Sequence, residues 1–135
     1  LFDDRPVVIG ATAHPLAGAS PSLEALAAFP WVVSGPGTPL RQQWERMFAA
    51  LPAPPKVMVE CGSVMMIREL LLDSEALTLL SPDQVRVELS GGYLVQIAPT
   101  PDGLKRTIGY TVRSGWMPTE RQKQFLSLLA QADPA

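Results

Sequence analysis

Few residues in this chain are equipped for acid–base, nucleophilic or metal chemistry. Among 135 residues there is one histidine, His14, and one cysteine, Cys61. A thiol nucleophile needs a base beside it, and His14 is the only imidazole on offer. Pro15 biases His14 away from helix, so His14 reads as a turn residue. The two residues make a metal site only if carboxylates converge on them, and no Asp or Glu spacing suggests that. Glu60, next to Cys61, is a possible acid, but an ion-paired glutamate is the commoner outcome. No G-x-S-x-G elbow, Walker loop or paired-glycine dinucleotide fingerprint occurs. The inventory argues against an enzyme, a metal site or a bound cofactor, and in favour of binding.

What remains is backbone chemistry, centred on Phe29 to Leu51. Trp31-Val32-Val33 reads as a buried strand, and Gly35-Pro36-Gly37 breaks it into a tight loop. Thr38 stands where an N-cap belongs and Pro39 fits the first helical position. Leu40, Trp44, Met47, Phe48 and Leu51 then line one face of a helix running to Leu51. Strand, glycine loop and capped helix aim free N–H groups beyond the strand end, which suits a small carboxylate or phosphate. An ordinary strand-to-helix turn explains the same pattern.

The other elements come in order. Pro6–Thr12 reads as a buried strand, and Ser20-Pro21-Ser22 opens a short helix reaching Ala28. Val57–Val59 is a strand, and Ser63 caps a helix over Val64–Leu72. Leu77–Leu80 is a strand, followed by the capping signal Ser81-Pro82-Asp83-Gln84 and a helix closed by Gly91-Gly92. Tyr93–Ile97 and Arg106–Val112 read as strands, and a last helix begins at Pro118, with Asp133-Pro134-Ala135 fraying. Met65-Met66 is read as core packing. Alternation of this kind predicts an α/β domain, a mostly parallel sheet flanked by helices, with right-handed crossovers. Ligands of such sheets sit at the carboxyl ends of strands. Here those ends are Ser34–Thr38, Cys61–Ser63 and Leu80–Ser81.

Composition narrows the class. Apolar residues at 47% and charged residues at 18% fit a soluble globular domain, and the net charge of -2 argues against a nucleic-acid face on this chain. No run of about eighteen apolar residues exists, so no membrane span is expected. The N-terminus lacks signal-peptide character, and a lone cysteine fits a reducing cytoplasm. The chain begins at Leu1 without an initiator methionine, so it is expected to be a piece of something longer.

Several short stretches, in the right order over nearly the whole chain, resemble the C-terminal part of the effector-binding domain of LysR-type transcriptional regulators. They are Val8 through His14-Pro15-Leu16-Ala17, Pro30-Trp31-Val32, Gly37-Thr38-Pro39-Leu40-Arg41, and Val59-Glu60 leading to Ser63. Leu77-Thr78-Leu79-Leu80-Ser81, Gly92-Tyr93-Leu94, and Ile108-Gly109 with Arg113, Trp116 and Pro118-Thr119 continue the match, which ends at Phe125-Leu126.

The resemblance implies a type 2 periplasmic-binding-protein-like fold of two α/β subdomains with a small effector in the cleft between them. Residues 6–104 would form the second subdomain. Residues 105–135 would be the crossing strand and the helix that returns to the first. The winged helix-turn-helix that binds DNA in the family is absent from this chain. The implied effector contacts are Ser34, Gly35, Pro36, Gly37, Thr38, Gly62, Ser63, Leu80 and Ser81. Thr38 and Ser63 would offer hydroxyl and N–H groups to a carboxylate, and Pro36 would pack on its apolar part. The parent would be a homo-oligomer, dimer or tetramer, in the cytoplasm. A solute-binding component of transport on the same fold is the alternative, and a small enzyme the third reading. The last helix, Pro118–Ala130, is expected to pack on another copy or on the chain's own sheet edge, or to swap between copies.

Overall fold

In the segment Arg5–Leu104, apolar side chains alternate between the two faces of the strands, so both faces must be covered. The computed structural model describes residues 1–131, and the fraying expected at Asp133-Pro134-Ala135 lies outside them. In chain order the elements are β1 (Phe2–Asp4), β2 (Val7–Ala11), α1 (Leu23–Ala27), β3 (Trp31–Val33), α2 (Pro39–Met47), β4 (Val57–Glu60) and α3 (Val64–Leu72). Next come β5 (Leu77–Leu80), a 3₁₀ turn (Pro82–Val85), α4 (Arg86–Ser90), β6 (Leu94–Pro99), β7 (Arg106–Ile108) and α5 (Glu120–Gln131). They divide into two units: Arg5–Leu104, and Leu1–Asp4 with the residues from Lys105 onward.

The larger unit is built on a five-stranded sheet in the order β4-β3-β5-β2-β6. On one face Val8, Trp31, Val33, Leu77 and Leu79 pack with Leu26 of α1 and with Trp44 and Met47 of α2. On the other, Val7, Ile9, Val32 and Leu80 pack with Ile67 and Leu71 of α3. The sheet is mixed, where the sequence suggests a mostly parallel one. β3 runs parallel to β4 and β5, but β2 pairs antiparallel with both β5 and β6. Helices α2 and α3 supply the crossovers that parallel pairing needs. The link from β5 to β6 places β6 beside β2 instead, a choice that the local pattern does not encode.

Trp31 fastens the first face. It is fully buried, its indole N–H donates to Leu26 O at 3.0 Å, and its ring meets Trp44 and Phe48 at centroid distances of 6.1 and 5.2 Å. Helix α2 ends at Met47, one turn before the expected Leu51. The chain tightens there into bonds from Ala49 N–H to Arg46 O and from Leu51 N–H to Phe48 O, keeping Phe48 against Trp31. At Gly10 a Cβ would stand 3.1 Å from Leu77 Cδ2 and 3.2 Å from Ile97 Cγ1, so the strand centre has room for hydrogen alone.

In the smaller unit β1 pairs antiparallel with β7, Phe2 opposite Ile108 and Asp4 opposite Arg106. Buried Asp4 accepts from Arg106 Nε, and Asp3 accepts from Lys105 Nζ at 3.0 Å and from Thr107 Oγ1 at 2.8 Å. The Lys105 hydrogen bond, followed by that of Thr107, holds the Asp3 carboxyl below the usual aspartate range. The expected strand Arg106–Val112 stops at Ile108, the residue opposite Phe2, because β1 offers no further pairing. Helix α5 starts at Glu120 rather than Pro118, with Thr119 N–H donating to Gln122 Oε1 at 2.8 Å and Gln122 N–H to Thr119 Oγ1 at 3.4 Å. Its Phe125 and Leu128 are exposed.

This packing sets the cost of two substitutions. Trp31→Ala should cost about 3–5 kcal/mol in urea unfolding, since it removes both the ring contacts and the filled volume. Gly10→Ala should cost about 1–3 kcal/mol, because the buried Leu77 and Ile97 side chains it meets must give by a few tenths of an ångström.

Candidate functional site

Because β4, β3 and β5 are parallel neighbours, their carboxyl ends lie on one edge of the sheet. Beyond β3, Ser34 and Gly35 are half-buried and Pro36, Gly37 and Thr38 exposed. Gly37 takes φ +80°, the left-handed region where a side chain is strained. Thr38 is the N-cap of α2: its Oγ1 accepts from Arg41 N–H at 3.3 Å and donates to Gly35 O at 2.8 Å. The hydroxyl proton is therefore spent inside the loop. Of the two hydroxyls that the sequence suggests for a carboxylate, this one has no hydrogen left to give.

Beyond β4, Cys61 N–H donates to Val33 O at 2.8 Å, which ties the second turn to the end of the first strand. Ser63 N–H donates to Cys61 Sγ at 3.3 Å, so the thiol shapes the turn. Ser63 caps α3 by accepting from Met66 N–H at 3.4 Å, which leaves its own hydrogen able to donate. Helices α2 and α3 are nine residues each. The N–H groups of Leu40, Val64 and Met65 lie in their first turns, where no intrahelical partner exists. Together with the positive ends of two helix dipoles, they make this edge suited to an anion.

The third strand end differs. Leu80 and Ser81 are 2% and 4% exposed, and Leu80 sits in the core under α3. Ser81 N–H donates to Gln84 Oε1 at 3.2 Å, the reciprocal bond of a capping box. The chain continues from Ser81 into a 3₁₀ turn and a five-residue helix, so little dipole is gathered there. Ser34–Thr38 and Gly62-Ser63 thus stand together at the surface, and Leu80-Ser81 lie beneath it on the same edge.

Arg41 was legible in the sequence only as the last residue of the Gly37–Arg41 stretch that carries the family resemblance, yet it bridges the two turns. Its Nη1 donates to Glu60 Oε1 at 2.7 Å and to Ser34 O at 3.3 Å, and its Nε to Glu45 Oε1 at 2.8 Å. The guanidinium carbon lies 5.3 Å from the Trp44 ring centroid. The hydrogen bond to Glu60, then that to Glu45, raises its pKa against the effect of partial burial, so the charge is permanent. The Arg41–Glu45 pair is an i,i+4 signal that the sequence does carry. The Glu60 partner is not, being nineteen residues away.

His14 and the Met65-Met66 pair stand apart from this edge chemistry. His14 is buried in its turn: Leu16 N–H donates to Nδ1 at 3.1 Å, so Nε2 carries the proton and faces Glu75 O at 3.1 Å. Met65 and Met66 are not core residues as the sequence suggests; they are 71% and 56% exposed, because Ile67 and Leu71 take the inward face of α3. An open, mostly apolar groove of about 400 Å³ lies elsewhere, between Ala19–Leu23 and Ile97–Pro101. Its polar side chains are Ser20 and Thr100, the latter with its hydroxyl donated to Pro6 O at 2.8 Å, and no charged group among the described residues lines it, so the strand ends are the better candidate site.

Known proteins share this fold. The family model described as the LysR substrate binding domain matches residues 1–134. The HTH-type transcriptional regulator GalR of Pseudomonas putida is 31% identical over 133 residues, 97% of this chain and 33% of the relative, so the chain spans a third of that protein's length. Among solved structures, the Synechocystis PCC6803 CcmR regulatory domain in complex with 2-PG superposes with a TM-score of 0.76 at 22% identity, covering 96% of this chain and 63% of that one. The effector binding domain of QuiR in complex with shikimate gives 0.73 at 15% identity, covering 97% and 62%. Likeness at those identities concerns the fold, which is that of LysR effector-binding domains, periplasmic-binding-protein-like in architecture. The family match spans all but the last residue, and the chain belongs to the LysR substrate binding domain family.

Proposed function

We propose that this chain is the effector-sensing part of a LysR-type transcriptional regulator, and that the edge formed by Ser34–Thr38 and Gly62-Ser63 is one wall of its effector cleft. The observation that carries this reading is the pair of nine-residue helices, each capped by a hydroxyl side chain, that start from adjacent parallel strand ends. Their unpaired N–H groups favour a small anion, a carboxylate above all. Ser34, Gly35, Pro36, Gly37, Thr38, Gly62 and Ser63 would contact it, over a floor of Leu80 and Ser81. The ligands of the CcmR and QuiR domains, 2-PG and shikimate, are in keeping with an effector of this size.

On this reading Arg5–Leu104 is the second subdomain, and the unit containing β7 and α5 belongs with a first subdomain outside this chain. The exposed Phe125 and Leu128 of α5 would be covered there or by another copy. Effector binding shifts the balance between arrangements of the subdomains, and through them the geometry of a homo-oligomer on DNA. DNA would be held by a separate N-terminal domain, in the cytoplasm, with no catalysis by this chain. Nothing in the site favours the alternative of a solute-binding component of transport.

The test is a titration of the isotopically labelled chain followed by amide NMR, with shikimate, benzoate and inorganic phosphate as probes. The amides of Gly35, Gly37, Thr38, Gly62 and Ser63 should move with at least one of them, at half-saturation on the order of millimolar because one wall supplies only part of the enclosure. The uncharged methyl ester of a responding carboxylate should leave them still. Shifts elsewhere, or an equal response to the ester, contradict the proposal. Ser63→Ala should weaken the response and cost about 1 kcal/mol of stability through the lost cap.

A further inference from the structure

We infer that Arg41 and Glu60 form a latch that holds the two helix starts as one site, with Arg41 as its positioning residue. The inference rests on the reading of that edge as the effector wall. Arg41 occupies the third position of α2, and its backbone N–H is bound by Thr38 Oγ1 at 3.3 Å. Its side chain turns back to Ser34 O at 3.3 Å. One residue thus grips both ends of the Ser34–Thr38 loop. The same Nη1 donates to Glu60, the last residue of β4, directly before the Cys61–Ser63 turn.

The geometry is fixed from the arginine side. The Arg41 side chain is 14% exposed, held above Trp44, and its carboxylate partners are 45% and 54% exposed. A lysine ammonium cannot reproduce a fork that reaches a carbonyl and two carboxylates at once. Arg41, Glu45 and Glu60 together carry one net negative charge, so the cluster does not draw an anion to the edge. Its effect is positional: it sets the Leu40 N–H against the Val64 and Met65 N–H groups, and loss of it should let the loop and the turn move independently.

Amide hydrogen exchange on the full chain tests this without any ligand. Glu60→Ala should raise exchange about fivefold at Thr38 and Arg41, whose N–H groups are held by Gly35 O and Thr38 Oγ1, although Glu60 reaches that loop only through Arg41. Arg41→Gln should do the same at Thr38 and at Ser63, whose N–H is held by Cys61 Sγ, with little change in the thermal midpoint. Glu60→Gln, which keeps an oxygen acceptor, should restore most of the protection, and Glu45→Ala should leave the loop as in the wild type. If Glu60→Ala leaves loop exchange unchanged, or Glu45→Ala raises it equally, the latch is overturned. In the probe titration, Arg41→Gln should shrink the response of Gly37 and Ser63 together. A wild-type chain that responds to no probe sinks the effector-wall reading, while the exchange measurements still decide the latch.

Discussion

The burial of Trp31 is the constraint on which the rest of the larger unit depends. A full indole is placed on the interior strand β3 with no exposure, and its N–H is satisfied by Leu26 O rather than by water. An unpaired indole N–H at that depth is costly, and the Leu26 carbonyl of α1 spares Trp31 that cost, whereas the buried Trp44 N–H beside it has no partner among the described residues. The Trp44 and Phe48 rings complete the cluster at 5.6 Å from each other, which fixes α2 across the same strand. With α2 pinned at its carboxyl half, its amino end is delivered to the carboxyl end of β3. The helix axis is therefore set by a hydrophobic contact two turns away, which leaves only the fine placement of the first turn to Arg41 and its partners.

The same logic governs the second helix start. Ile67 and Leu71 anchor α3 on the opposite face, and the 2.8 Å bond from Cys61 N–H to Val33 O keeps its leading turn level with the first. Two rigidly packed helices on opposite faces thus present their free N–H groups at one edge. For the proposed anion this is preorganisation, since packing orients the donors without it. The loop between β3 and α2 adds its own restraint through Gly37, whose left-handed backbone lets the chain reverse before Thr38. Exposed Met65 and Met66, placed just after the Ser63 cap, add polarizable apolar surface beside these donors.

How far the sequence revealed this depends on the range of the interaction concerned. Trp31–Val33, Val64–Leu72 and Leu77–Leu80 stand where apolar patterning and capping residues put them, because those signals act within one element. Thr38 and Ser63 are N-caps for the same local reason. The antiparallel pairing of β2 and the existence of β1 were not legible. Both depend on partners far along the chain, such as Val7 opposite Pro99 and Asp4 opposite Arg106. Met65 and Met66 were misplaced because an apolar pair at a helix start carries no mark of which face it will take. Of the candidate site, the capped starts were readable from spacing alone. The burial of Leu80-Ser81 and the bridge from Arg41 to Glu60 needed the fold.

Two helix starts on one sheet edge should together make an anion-binding wall. Paramagnetic relaxation by a nitroxide-labelled carboxylate, read across all amides of the chain, tests it most directly. Broadening should be concentrated at residues 35–40 and 62–65, and absent with the neutral amide of the same nitroxide. Broadening centred on the apolar groove between Ala19–Leu23 and Ile97–Pro101, or equal for the charged and neutral probes, would contradict it.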